Sequence, residues 1–295
     1  MYRIIVTSFL GLLLFFPALL LAQNGQADTA KTLLYRVSGN GLKTPSYLYG
    51  TIHAICQDDL QLHDSIFSVL PQCKSLVLET NSDDLEPMEM IRLSFMKGDT
   101  SLKMLLSEAK LKEIETFFKK ELNMPMNGEA RFKPILIGTM AMTVLVDCPM
   151  SQIASVENVL SIEAKKYKLK TQYLESPEFQ LNVLDSIPYM EQAEQLYHMI
   201  DHIDDSKKAF AELTLAYQNM DLQLIDSLML NDIQGLAKEP SILQNRNYAW
   251  VAKLKGMMAK EACFFAVGAG HLAGEESIIQ LLRKEGYAVE PVLKP

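Results

Sequence analysis

Two copies of Gly-x-x-His stand where apolar runs stop: Gly50-Thr51-Ile52-His53 after Ser46-Tyr47-Leu48-Tyr49, and Gly268-Ala269-Gly270-His271 after Cys263-Phe264-Phe265-Ala266-Val267. Each reads as a short strand ending in a glycine turn that presents an imidazole, which can act as a metal ligand or a general base. Two further apolar runs end on carboxylates, Ser75-Leu76-Val77-Leu78-Glu79 and Leu169 to Leu174 followed by Glu175. In α/β sheets strand ends are where ligands bind. Two imidazoles with one or two carboxylates suit a divalent transition metal, which activates water for hydrolysis. A carboxylate outside the coordination sphere is then free to serve as general base. Taken alone, a histidine after a glycine turn is more often structural.

These side chains need a scaffold. Leu33 to Ser38 and Ser46 to Gly50 flank Gly39-Asn40-Gly41, a hairpin signal. Asp58-Asp59 offer a cap for a helix carrying Leu62, Ile66 and Leu70. Helices are predicted over 102–122, 134–146 as a continuous apolar buried stretch, and 156–165. From 176 to about 258 the chain reads as a long helical insertion broken near Pro188, Asp204 and Pro240. Strand 262–267, helix 275–284 and strand 287–292 close it. The expected fold is α/β (α+β), a mixed β-sheet core flanked by helices, in a single domain over 32–295.

Residues 1–22 carry only Arg3, then an uncharged apolar run to Ala22, the order of a secretory signal; an uncleaved anchor is the competing reading. Residues 23–31 are expected to be flexible. The 295-residue chain has a formal net charge of −8, and losing Arg3 moves it to about −9, which disfavours nucleic acid and anionic membrane surfaces. The expectation is an exported, periplasmic or secreted protein that leaves the membrane after signal cleavage. The four cysteines, 56, 73, 148 and 263, lack CxxC spacing. An oxidising compartment permits three pairings, but free, buried cysteine is the simpler expectation.

Other signals are weaker. Gly268-Ala269-Gly270-His271-Leu272-Ala273 with Glu290 fits the dinucleotide fingerprint, but the sequence stops five residues after Glu290, and Glu275 and Glu276 oppose a pyrophosphate. His198 and His202 are spaced i, i+4 without an HExxH pattern and read as a solvated face, and His63 reads as exposed. Serine hydrolase and kinase motifs are absent.

Tyr47 to His53, Leu76 to Glu79 and Val267 to Leu272, with Tyr173-Leu174-Glu175-Ser176 and Gln180, and with Leu243-Gln244-Asn245-Arg246-Asn247-Tyr248-Ala249-Trp250, together resemble the TraB/PrgY/GumN family, which includes the Tiki proteases. Ser176 stands where that family usually has Thr. The resemblance implies a fold similar to erythromycin-esterase and ChaN-like proteins. It also implies a metal-dependent hydrolase favouring Mn²⁺ or Co²⁺, with Zn²⁺ a further candidate, acting on a peptide or protein substrate. It casts His53 and His271 as metal ligands, Glu79 as ligand or general base, and Glu175, Arg246 and Asn247 as catalytic-site residues. Arg246 would stabilise an oxyanion or form an ion pair with Glu79 or Glu175. The alternative it carries is a non-catalytic protein that sequesters a peptide or pheromone.

Overall fold

The computed structural model describes residues 30–62, 64–81, 84–231 and 239–293. The expected signal, most of the flexible start and His63 lie outside the described residues.

The hairpin forms as read. β1 (Leu34–Gly39) and β2 (Ser46–Thr51) pair antiparallel. Gly39, Asn40 and Gly41 all take positive φ at the turn, where glycine and asparagine are the residues that tolerate it. β4 (Ser75–Leu78), β6 (Lys170–Tyr173), β7 (Cys263–Gly268) and β8 (Tyr287–Pro291) complete a six-stranded sheet of order β6-β4-β7-β2-β1-β8. The four strands β6, β4, β7 and β2 run parallel, and β1 lies antiparallel between β2 and β8. The expected mixed sheet flanked by helices is what forms.

Alternation along the strands splits the core between the two faces. Tyr47, Tyr49, Leu76, Leu78, Phe264 and Ala266 share one cluster with α1 (Asp64–Val69), α6 (Val156–Lys166) and residues of α9 (Ile203–Gln218) and α10 (Leu222–Leu230). Leu48, Val77, Phe265 and Val267 face α11 (Gln244–Met258) and α12 (Ile278–Lys284). A third cluster lies away from the sheet. It joins α3 (Leu102–Leu105), α4 (Glu108–Glu121) and α5 (Pro134–Met142) to α8 (Tyr189–Asp201). The described parts of 176–258 are mostly helical, and their helices serve all three clusters.

Local chemistry moves several boundaries. The helix expected over 102–122 breaks at Leu106 (φ −127°, ψ 153°), because Ser107 caps a new helix through its Oγ to the Lys110 amide. The helix expected from Glu275 begins at Ile278, because Ser277 caps it through the Gln280 amide. Asp58 and Asp59 sit in a 3-10 turn rather than capping α1, and Leu62 packs on the core from outside that helix. The apolar 134–146 segment ends its helix at Met142 and is buried on one side only: Ile137 and Ala141 face inward while Met140 and Met142 are exposed.

The cysteine expectation needs a correction. Cys73 and Cys263 are free and buried, as read, but Cys56 and Cys148 form a disulfide across 92 residues. The fold supplies the Cα–Cα separation of 6.0 Å that a bridge requires, which spacing in sequence could not reveal. Nearby, β3 (Ile55–Cys56) pairs antiparallel with β5 (Ile153–Ala154).

One buried ion pair ties the third cluster to the rest. Lys133 Nζ lies 2.9 Å from Asp185 Oδ1 with its side chain 2% exposed, and also donates to the Leu181 carbonyl. Burial pushes the Asp185 carboxyl up, but the hydrogen bonds from Lys133, Tyr189 and Lys97 more than offset this and hold it below its usual range. Asp185→Asn leaves the Lys133 ammonium buried without its counter-charge and should cost about 3 kcal/mol at pH 7. A depressed carboxyl pKa stabilises above the unfolded value of about 3.9 and loses that effect as pH falls through the folded value. Melting curves of wild type and Asp185→Asn should therefore converge as pH falls below about 4; divergence on acidification would reject this assignment.

Candidate active site

Because β6, β4, β7 and β2 are parallel neighbours, their carboxyl ends share one edge of the sheet. Each ends on one residue from the sequence reading: Glu175 after β6, Glu79 after β4, His271 after β7 and His53 after β2. Backbone pairing runs one residue past β4 and β6, with the Glu175 amide donating to the Glu79 carbonyl at 2.9 Å, so the two glutamates leave side by side.

β4 and β2 are separated by β7, roughly 10 Å at the usual strand spacing. The Glu79 and His53 side chains meet above β7 because Gly268 has none. A Cβ there would lie 3.4 Å from Glu79 Oε1, 3.4 Å from His53 Nε2 and 3.8 Å from His271 Cδ2. The Gly268 amide donates to Glu79 Oε1 at 2.8 Å. The two Gly-x-x-His devices converge on one point, with the carboxylate between them.

α11 supplies the cationic side. Arg246 and Trp250 are one turn apart and both face inward. Arg246 Nη2 donates to Glu79 Oε2 at 2.8 Å and to Glu175 Oε1 at 2.6 Å, and its Nε donates to Glu175 Oε2 at 3.2 Å. Trp250 Nε1 donates to the same Glu175 oxygen at 3.0 Å, and its ring stacks against the guanidinium. The ion-pair role anticipated for Arg246 is met by both glutamates at once. Gln180 reaches Glu79 Oε2 at 3.5 Å, and Lys253 donates to the Leu174 carbonyl.

Each histidine has a distinct setting. His271 is buried, and its Nδ1 lies 2.6 Å from Asn247 Oδ1, whose amide Nδ2 donates to the Glu276 carbonyl. That orientation of Asn247 makes Nδ1 the protonated nitrogen and Nε2 an acceptor, which takes a hydrogen bond from Arg246 Nη1 at 3.3 Å and lies 3.8 Å from Glu79 Oε1. Burial drives the His271 pKa down to about 3, so the ring is neutral at ordinary pH. His53 is 68% exposed at its side chain and donates from Nδ1 to Glu157 Oε1 at 2.7 Å. That hydrogen bond raises its pKa to about 9 against desolvation. Water screens so exposed a pair, and the upward direction is what the geometry supports. Burial pushes the Glu79 carboxyl up, but Arg246, His53 and the Gly268 amide hold it below the usual range, so it is ionised.

Among the described residues, no three His, Cys, Asp or Glu side chains are grouped closely enough to hold a metal ion. The donor set nevertheless fits a divalent metal in kind. His53 Nε2, His271 Nε2 and Glu79 Oε1 make up a nitrogen–nitrogen–oxygen set, and both outer ring nitrogens are held by carboxylate or amide oxygens. His198 and His202 stack on each other at 4.3 Å, far along the chain in α8, and join none of these residues. Glu157 and Thr51 had no signal in the sequence: an acid in the first turn of a helix is ordinary, and only the fold sets it beside His53. The fingerprint glycines 268 and 270 serve the Glu79 and His271 turn.

A mixed α/β sheet with two histidines and an arginine-bridged glutamate pair at the carboxyl ends of its parallel strands defines a class of strand-end polar centre. The chain matches the TraB/PrgY/gumN family over residues 33–291 and belongs to it. It is similar to the metalloprotease TIKI1 of Danio rerio, 24% identical over 316 aligned residues covering 83% of this chain and 60% of that protein. It is also similar to the metalloprotease TIKI2 of Danio rerio, 32% identical over 108 residues covering 36% of this chain and 18% of that protein. The chain thus spans about 60% of the length of the first relative. No solved structure matches it.

Proposed function

We propose that this protein is an exported metal-dependent hydrolase acting on peptides or proteins, with His53, His271 and Glu79 as the metal ligands. The observation that carries this is the convergence of His53 Nε2, Glu79 Oε1 and the His271 ring around the missing side chain of Gly268. A divalent ion held there, Mn²⁺ or Co²⁺ first and Zn²⁺ next, supplies Lewis acidity for hydrolysis.

The chain's own groups have separable roles. The ionised Glu79 keeps one oxygen on the Gly268 amide and the other on Arg246, which fixes the direction in which it offers its charge to a cation. Glu175 and Trp250 lock the guanidinium in place, so that it bridges Glu175 to Glu79 and holds both carboxylates at the strand ends. Asn247 keeps His271 in the tautomer whose Nε2 is an acceptor. Export is supported by the apolar order of residues 1–22 and by the Cys56–Cys148 disulfide, which persists in oxidising compartments. Among the described residues, no helix is long and apolar enough to cross a membrane.

Calorimetric titration of the purified protein with Mn²⁺ should give saturable binding, and peptide hydrolysis should vanish on chelation and return with added metal. Hydrolysis unaffected by thorough chelation would sink the proposal. A second reading, a peptide-sequestering protein without turnover, draws on Arg246. The arginine already pairs with both glutamates and donates to His271 Nε2 at 3.3 Å, occupying the groups a metal would need. It predicts saturable peptide binding that chelators leave unchanged.

A further inference from the structure

Glu157 belongs to none of the motifs that single out the site, yet it is the partner that holds His53 Nδ1. Its Oε1 accepts from His53 Nδ1 at 2.7 Å and from the Thr51 hydroxyl at 2.6 Å. Thr51 is buried and lies directly between Gly50 and His53 in the turn. The other oxygen, Oε2, is buried and accepts no hydrogen bond among the described residues. Burying a carboxylate oxygen without a partner is costly, and such departures from full satisfaction gather at functional positions. A glutamate serving only as a polar filler would be better replaced by a residue that leaves no acceptor unmet.

The contact is also built rather than incidental. Glu157 opens α6 immediately after its cap, Ser155, whose Oγ accepts from the Asn158 amide. The strand before it, β5, pairs with β3, so that Ile55 meets Ala154 and Cys56 meets Ile153. The Val156 amide donates to the Ile52 carbonyl. The Cys56–Cys148 disulfide fastens the His53 side of this ladder to the chain just ahead of β5. On the other flank of the turn, the Tyr217 hydroxyl donates to the Gly50 carbonyl. The segments carrying His53 and Glu157 are therefore held together by ladder, disulfide and backbone bonds before the two side chains meet.

We infer that Glu157 is the positioning residue for His53, gripping the Nδ1 edge of the ring so that Nε2 is turned toward Glu79 across Gly268. A carboxylate on the outer nitrogen of a ligating histidine fixes ring orientation and raises ligand basicity. Thr51 in turn fixes Glu157, making the second Gly-x-x-His position part of the same device. This inference rests on the proposed ligand role of His53, and its test separates the two.

Mn²⁺ titration by calorimetry should show Glu157→Gln, which keeps shape and removes charge, binding about 10- to 100-fold more weakly than wild type. Thr51→Val should weaken binding several-fold, while Thr51→Ser, which keeps the hydroxyl, should restore the wild-type value. Wild-type affinity in Glu157→Gln overturns the inference. A second readout uses the metal-free protein with ¹⁵N-labelled histidine: the His53 ring nitrogens should shift in Glu157→Gln while those of His271 stay in place. Unchanged His53 resonances overturn the inference as well. Failure of wild type to bind Mn²⁺ refutes the ligand role of His53, and the ring spectrum alone then decides whether Glu157 orients it.

Discussion

Replacing Arg246 by methionine is expected to lower stability by about 3–5 kcal/mol, the range for stripping the partner from a buried charge. The Arg246, Glu79 and Glu175 side chains are 9%, 9% and 2% exposed, and the guanidinium donates to both carboxylates. Methionine fills similar volume, so the loss is electrostatic: two adjacent acids remain at the sheet edge without a counter-charge. At roughly 2–4 °C per kcal/mol for a domain of this size, the melting temperature should fall by about 10 °C. Arg246→Lys should recover only part of this, because one ammonium cannot reproduce a fork that spans both glutamates. Glu175→Gln combined with Arg246→Met should cost less than the two single changes added together, since the residues share one network. A melting temperature for Arg246→Met within 2 °C of wild type would show that the pairs contribute little.

Replacing His53 by alanine is expected to have the opposite profile. The side chain is largely exposed and, among the described residues, its side-chain hydrogen bond is to Glu157, so the melting temperature should fall by only a few degrees, for about 1 kcal/mol, and circular dichroism should stay near wild type. If His53 is a metal ligand, Mn²⁺-supported peptide hydrolysis should fall by about three orders of magnitude, roughly 4 kcal/mol of barrier. The contrast between the two variants separates framework from chemistry: Arg246 holds the site together, whereas His53 contributes to it without supporting the fold. Wild-type turnover in His53→Ala would remove His53 from the reaction.

Several parts of this molecule were legible because they depend on neighbours in sequence. The Gly39-Asn40-Gly41 turn, the two Gly-x-x-His strand ends and the carboxylates at positions 79 and 175 all follow local rules of period and turn chemistry. So did the helical character of 176–258. Helix starts were less legible, because Ser107 and Ser277 offer the backbone a cap that competes with simple continuation of an apolar pattern. The resemblance to the TraB/PrgY/gumN family came from five motifs in order, and it alone brought Arg246 and Asn247 into view.

The sequence by itself determined which side chains stand at strand ends, since glycine and an apolar run dictate where a strand stops. The tertiary structure decided that four of those ends share one edge, because parallel pairing of β6, β4, β7 and β2 points them the same way. It also decided that Gly268 is the gap into which His53 and Glu79 reach, that Arg246 bridges two acids, and that Cys56 finds Cys148. The partnership of Glu157 with His53 belongs there too. Such contacts join residues tens to hundreds of positions apart, and no local periodicity encodes them; they exist only once the sheet order sets which distant segments become neighbours.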